Sequence, residues 1–247
     1  IALDISADQV ESLVGNDNIE VYRGPSTYTH FLLMNQDPEI GGPFSDPTVQ
    51  LAVRYSLDYD GFKTLWGGIT PGTNLIGMRD IPGAFGEDRA FVRDIDKAKE
   101  LLAEAGYPDG LDVTLQYPDF SWQGVNMNTN AQKIQADLAD AGINVTLEPA
   151  EIGVSLEQYR TGQQGFAYWF WGPDVLDPFD FLSFLPGGKV AIERTNWNLE
   201  DVDQDIQDLI AAANYERDEA TRMDIFTQLQ EFQQQNGPYA PFNVPNL

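Results

Sequence analysis

The sequence predicts an α/β fold, a mixed sheet flanked by helices. Three observations carry this expectation: a strand–helix–strand run over residues 111–147, two helices closing the chain over 199–215 and 218–235, and an aromatic strand, Tyr168-Trp169-Phe170-Trp171, cut off by Gly172-Pro173. Elements alternating in this way stack as sheet and helix layers around a shared core. With 247 residues, 42% of them hydrophobic and 12% aromatic, the chain can fill such a core and is not a disordered polymer. Its length suits one large domain or two small ones.

The elements follow in order. Ser6-Ala7-Asp8-Gln9 opens a short helix, with Ser6 as N-cap and Gln9 three residues later. Residues 19–23 and 28–34 read as strands split by the turn Gly24-Pro25-Ser26. Asp46-Pro47 starts a helix with proline at its first position, and Val49, Ala52, Val53 and Leu57 form its apolar stripe. The Gly- and Pro-rich stretch 67–86 is long for a bare connection and is expected to pack on the surface or near a ligand. The helix over 94–106 has acids in its first turn and Gly106 as its stop. Strand 111–117, helix 130–141 and strand 143–147 predict a right-handed parallel crossover. A short helix, 155–162, leads into the aromatic strand, and Gly237-Pro238 ends the last helix. The chain opens on Ile1-Ala2-Leu3-Asp4-Ile5 like a strand under way, without initiator Met or signal peptide, and the expectation is a fragment of a longer protein.

Composition removes several function classes. The formal charge of −25 disfavours nucleic acid, since phosphate contacts need clustered Lys and Arg. That charge attracts cationic ligands, or is simply a solvated surface suited to salt, and the even spread of the acids favours the second. No apolar run approaches the ~20 residues of a membrane span. With no cysteine there is no disulfide, thiolate site or Cys nucleophile, which suits an exported protein. His30 is the only histidine, so multi-histidine metal sites are impossible, and no Gly-x-Ser-x-Gly elbow accompanies it. Phosphate-loop and dinucleotide fingerprints are absent. Asp201, Asp203, Asp205 and Asp208 lie in a helical pattern, as a solvated face rather than a calcium loop. Neither a metal nor another cofactor is expected.

One segment carries chemistry. After the aromatic strand the Gly172-Pro173 turn delivers Asp174 beside indole rings, and a carboxylate against an apolar wall can receive a ligand ammonium, because low dielectric strengthens the pairing. The same residues read equally as a core strand followed by a solvated turn. Among the five tryptophans, Trp66, Trp122, Trp169, Trp171 and Trp197, the two before the acidic turn are the first candidates to stack on a ligand, with Tyr168 beside them. Trp197 follows, in a loop Arg194-Thr195-Asn196-Trp197 before a helix, where Arg194 could bind a carboxylate. Paired carboxylates among Asp174, Asp177 and Asp180 leave glycoside hydrolysis as a weaker alternative.

Ordered segments then carry a resemblance. Residues 1–13, Phe31-Leu32-Leu33-Met34-Asn35, the run from Pro43 to Asp58, Asp96 to Tyr107, and the closing pattern of Glu216, Asp218, Arg222, Gln230 and Pro238-Tyr239-Ala240-Pro241 resemble, in order, the solute-binding proteins of ABC importers, in the peptide/nickel class known as family 5. Gln50 departs from that pattern, which usually has arginine there. The resemblance implies a periplasmic-binding-protein-like (type II) lobe: residues 1–34 as crossover strands belonging partly to a missing first lobe, 35–236 as the second lobe, and 237–247 as a strand returning to the first. It implies a monomer that captures peptides outside the cytoplasmic membrane, by hinge closure between two lobes, and hands them to a membrane permease. The motif Trp-x-x-Asp-x-x-acid-Pro puts the α-ammonium on Asp174 with Trp171 as its neighbour, and leaves Asp177-Pro178 as structure. The expected ligand set is Asp174, Trp171, Trp169, Tyr168, Arg194, Trp197 and Asn35. An oligosaccharide bound by the same fold, and a purely structural module, remain as alternatives.

Overall fold

The computed structural model describes residues 5, 7–22, 24, 26–72, 81–122 and 124–246. Helix α1 (Ala7–Leu13) is followed by irregular backbone, and its expected cap, Ser6, lies outside the described residues. The strand expected over 19–23 is not formed by residues 19–22: Ile19 and Tyr22 are exposed, and alternation without a sheet neighbour buries nothing. Arg23 lies outside the described residues. Strand β1 (Thr29–Met34) is buried at every position. The one-turn helix α2 (Pro38–Gly41) precedes α3 (Pro47–Ser56), where the Asp46 carboxylate accepts from Thr48 N–H at 2.8 Å. Helix α4 (Tyr59–Trp66), unforeseen in the sequence, starts at Asp58, whose carboxylate accepts from Gly61 N–H at 3.0 Å. Helix α5 (Ile95–Glu104) begins at Asp94 as expected.

Strand β2 (Leu111–Pro118) runs into a small hairpin, β3 (Ser121–Trp122) and β4 (Val125–Asn126), and then α6 (Met127–Ala139). The helix starts three residues before the expected position because Asn126 caps it, accepting from Thr129 N–H at 3.0 Å. Strand β5 (Ile143–Ala150), α7 (Ile152–Arg160) and β6 (Phe166–Trp171) follow. A 3-10 turn (Pro178–Phe184) leads to α8 (Lys189–Thr195), α9 (Gln204–Ala213), α10 (Glu219–Gln235) and β7 (Tyr239–Asn243). Two expectations change here. Arg194 lies in α8 rather than in a loop. The helix expected over 199–215 is broken: a reciprocal cap between Asn198 and Asp201 closes a 3-10 turn, Leu199–Asp201, and α9 restarts after Asp203.

The five-stranded sheet has the order β5-β2-β6-β1-β7. Strands β2, β5 and β6 are mutually parallel, and β1 runs antiparallel to β6 and β7, so the sheet is mixed. Alternation splits the core in two. Leu32, Met34, Phe166 and Tyr168 face a cluster built with α3, α4, α5 and α6. Phe31, Leu33, Ala167 and Trp169 face one built with α7, the 3-10 turn and α10. Described parts of the 67–86 stretch pack on α10: Gln230 Nε2 donates to Gly83 O at 2.9 Å, and its Oε1 accepts from Phe85 N–H at 2.9 Å.

A buried polar chain crosses the first core layer. Trp66 Nε1–H donates to Asn130 Oδ1 at 2.6 Å, which orients the amide; Asn130 Nδ2 donates to Tyr168 Oη at 2.6 Å; and Tyr168 lies 2.5 Å from His30 Nδ1. Since the phenol already accepts from Asn130, its hydrogen goes to Nδ1, and the ring proton of neutral His30 sits on Nε2. Burial pushes the imidazole pKa down to about 3. A free imidazole titrates near ~6.5, so below that pH the unfolded chain takes up a proton that the folded chain refuses, and this group's contribution to stability falls until about pH 3. Between ~pH 6.5 and ~5 the loss is at most about 2 kcal/mol, at ~1.4 kcal/mol per pH unit. Urea unfolding of wild type and His30→Gln at both pH values should show that increment only in the wild type; equal pH dependences would refute it.

Arg54 is the other buried oddity. Its side chain is 1% exposed, and Nη2 donates to the carbonyls of Gly237 and Tyr239 at 2.6 and 3.0 Å, clamping the start of β7 to α3. Burial pushes its pKa down to about 10, which leaves it protonated at neutral pH.

Candidate functional site

Parallel strands β2, β5 and β6 end on the same side of the sheet, where β1 begins. In open α/β sheets that carboxyl end is where ligands bind, because loops rather than strands occupy it. Strand β6 ends with Phe170 and Trp171, half-buried and directed to opposite faces. A Cβ on Gly172 would lie 2.8 Å from Tyr28 Cε1, so a side chain there would have to displace the tyrosine ring. Trp171 packs edge-on to Phe181, with centroids 5.2 Å apart, and against Phe184 at 4.7 Å.

Three acids follow, with different surroundings. Asp180 accepts from the backbone N–H of Asp174 at 2.7 Å and thus shapes the turn. Asp177 accepts from Phe179 N–H at 2.8 Å and pairs with Arg222 of α10. Asp174 itself is exposed, and its carboxylate has no hydrogen-bond or ion-pair partner among the described residues. Of the three, it is the acid free to meet a ligand.

The other expected ligand residues are placed elsewhere. Tyr168 and Trp169 are adjacent on β6 and so face opposite layers. Tyr168 is fully buried in the polar chain, while Trp169 stacks on Tyr159 at 4.4 Å and donates to Gln164 Oε1 at 2.6 Å. They are core residues and cannot form one wall. Asn35 follows the far end of β1. Its Nδ2 donates to Gly162 O and Gln164 O, and its Oδ1 accepts from Asn196 at 2.9 Å. Trp197 is 3% exposed, lies against Gly237 before β7, and stacks on Phe232. Arg194 caps the Tyr159 ring at 4.4 Å and donates to its hydroxyl at 2.9 Å. Asn35, Arg194 and Trp197 thus gather at the opposite end of the sheet, one strand length from Asp174, or roughly 20 Å for six residues. They tie loops together there.

Another aromatic group lies at the Asp174 end. Trp122, on the β3–β4 hairpin, stacks on Phe170 with centroids 5.6 Å apart and planes at 23°. Tyr28 meets both rings at 6.0 Å. Phe120 lies 6.0 Å from Phe170. Phe120 and Trp122 directly follow a strand, which is a legible signal, but nothing in the sequence marks the hairpin except Gly124, at φ +79°. Two clefts, of about 310 and 370 Å³, lie elsewhere, beside Tyr55 and Gln234 and beside Gly42 and Phe166. Among the described residues no cluster of His, Cys, Asp or Glu could hold a metal ion, and no helix is long and apolar enough to cross a membrane.

Comparison with known proteins decides the family. Residues 1–191 match the profile described as "Bacterial extracellular solute-binding proteins, family 5 Middle". The chain belongs to family 5 of the bacterial extracellular solute-binding proteins. This family 5 chain is similar to the "Probable di/tripeptide-binding protein 5" of Pseudomonas aeruginosa, with 27% identity over 255 residues that cover 99% of this chain and 46% of that protein. It superposes on the periplasmic binding protein DppA of Helicobacter pylori, solved with the peptide STSA, with a TM-score of 0.78 and 26% identity over 99% of this chain and 46% of that one. A dipeptide-binding protein of Pseudoalteromonas sp. SM9913 shares the fold, with a TM-score of 0.83 and 22% identity over 99% and 48% of the two chains. The family 5 chain therefore spans about half the length of the curated relatives it matches. Family 5 proteins bind solutes and are not enzymes, which removes the glycoside hydrolase.

Proposed function

We propose that this chain forms one lobe of an extracytoplasmic solute-binding protein that captures short peptides between two lobes and delivers them to the membrane permease of an ABC importer. Asp174 receives the peptide's α-ammonium. The observation that carries this reading is the unpaired carboxylate of Asp174, at the carboxyl end of the sheet three residues after Trp171, while Asp177 and Asp180 are engaged in building its turn. Asp177-Pro178 and Arg222 form the frame. Relatives of the whole chain's span that are named for di- and tripeptides support the peptide class. Binding proceeds by closure, the solute stabilising the closed state because it touches both lobes only there. The test is calorimetric titration of the full-length protein with Ala-Ala and with N-acetyl-Ala-Ala. Acetylation removes the ammonium and should abolish measurable binding; equal affinities would rule out an amine anchor.

A further inference from the structure

We propose that the notch between the starts of strands β2 and β6 is a docking site for an extended, positively charged segment of a partner protein, which adds to β2 as a short strand. The notch lies at the end of the sheet opposite Asp174. The inference therefore goes beyond the peptide reading and stands without it.

Main-chain pairing is the first observation. Strand β2 pairs with β5 from Leu111 to Pro118, but with β6 at one position, Gln116 opposite Ala167. Leu111 N–H donates to Gly142 O at 3.1 Å and Asp119 N–H to Ala150 O at 2.8 Å, so the odd-numbered residues of β2 turn their main-chain groups to β5. Asp112 and Thr114 therefore turn theirs toward β6. There the N–H and C=O of Asp112 and the N–H of Thr114 have no backbone partner among the described residues. Both residues are exposed, and both line the cleft of about 370 Å³ beside Gly42 and Phe166. Unpaired main-chain groups on an open strand edge are what strand addition uses.

The opening is built into the fold. Asn35 Nδ2 donates to Gly162 O and Gln164 O at 3.0 and 3.1 Å, and Asn35 N–H donates to Gly165 O at 2.9 Å, so the segment entering β6 is held on the β1 side. A Cβ on Gly165 would lie 2.3 Å from Ile40 O, so α2 presses on the same segment. Together these contacts keep β6 from closing against the start of β2.

Charge selects the occupant. Asp112 and Glu148 line the cleft, and no Lys or Arg does. Asp112 accepts from Asn144 Nδ2 at 2.9 Å, whereas Glu148 has no partner among the described residues. Thr114, Asn144 and Thr146 are exposed beside them, so this part of the sheet has an open, polar face. A second copy of a chain with formal charge −25 is repelled here, while Lys or Arg at alternate positions of an incoming strand is attracted.

The experiment is fluorescence anisotropy on the full-length protein, with C-terminally labelled N-acetyl-Lys-Thr-Lys-Thr-Lys as probe. Acetylation removes the ammonium that Asp174 would receive. Saturable binding is expected, and its absence at about 1 mM protein, the weakest affinity worth calling a site, would overturn the proposal. The double variant D112N/E148Q should weaken the probe roughly 3- to 10-fold, the scale of two exposed ion pairs. Equal binding would mean diffuse attraction to an acidic surface and no site at the notch. Thr114→Pro removes one free N–H and should also weaken the probe roughly 3- to 10-fold, with an unchanged thermal transition. Should that variant not fold, the same question is put to the probe. Alternate N–H groups of a strand point to opposite sides, so N-methylation at both Thr and N-methylation at all three Lys should differ, one set weakening binding and the other not. Two methylated sets that bind like the parent would rule out strand addition.

Discussion

Asp174→Asn in the full-length protein will weaken binding of a free-amine dipeptide by about 10- to 150-fold, because hydrogen bonds to charged groups contribute ~1.5–3 kcal/mol and each ~1.4 kcal/mol is a factor of ten. The amide keeps the shape and one acceptor oxygen, so the loss measures charge rather than packing. Little refolding cost is expected, since the Asp174 side chain is exposed and it is the backbone N–H, not the carboxylate, that holds the turn to Asp180. Asp177→Asn is the contrasting variant. That carboxylate caps the 3-10 turn and pairs with Arg222, so its loss should lower thermal stability first and affinity only through the turn. Calorimetry and thermal unfolding on the two variants separate the roles. If Asp174→Asn binds like wild type, the ammonium contact lies elsewhere.

Arg54→Ala will cost about 3–5 kcal/mol of unfolding free energy, the sum of two buried carbonyls left without donors and the cavity left by a long side chain. The guanidinium has no carboxylate partner among the described residues, and desolvating an uncompensated charge is itself unfavourable. The two carbonyl bonds and the packed stem oppose that cost. Arg54→Met tests which side wins: it refills the volume without the donors, and should fall between wild type and Arg54→Ala. Urea unfolding at pH 7 reads both. An Arg54→Ala value within ~1 kcal/mol of wild type would mean that strand β7 does not depend on this clamp.

Much of the scaffold is readable from local chemistry. The Asp-Pro start of α3, the acid-capped α5 and the glycine stops before β2 and β5 are short-range signals, and each appears where the residues place it. The failures are long-range. Residues 19–22 alternate like a strand, but alternation cannot say whether a sheet edge is available. The helix at 59–66 is weakly marked in the sequence because Gly61 interrupts it and only Tyr59 and Phe62 end up buried. The site divides in the same way. Asp174 and Trp171 follow from a strand that ends in Gly-Pro. Tyr168 and Trp169, on the same strand, are sent by alternation itself into opposite core layers, once helices cover both faces of the sheet. Asn35, Arg194 and Trp197 look functional as residue types, and only the sheet order shows that they lie at the end opposite Asp174. Trp122 is the converse, a residue whose surroundings come from Tyr28 and Phe170, far away in sequence.

The position of β1 has a consequence for how the chain reaches its native state. This strand lies inside the sheet, yet both of its neighbours, β6 and β7, come much later in the chain. The β2–α6–β5 unit can assemble from nearby residues as soon as it is made. Strand β1 has to wait for β7, and contacts of such high order slow folding. Until Tyr239–Asn243 is available, six consecutive residues that end up wholly buried remain without one of their two partners. A nascent chain therefore carries this buried strand with one edge unpaired while residues 35–238 are made, and pairing with other chains competes with folding over that interval.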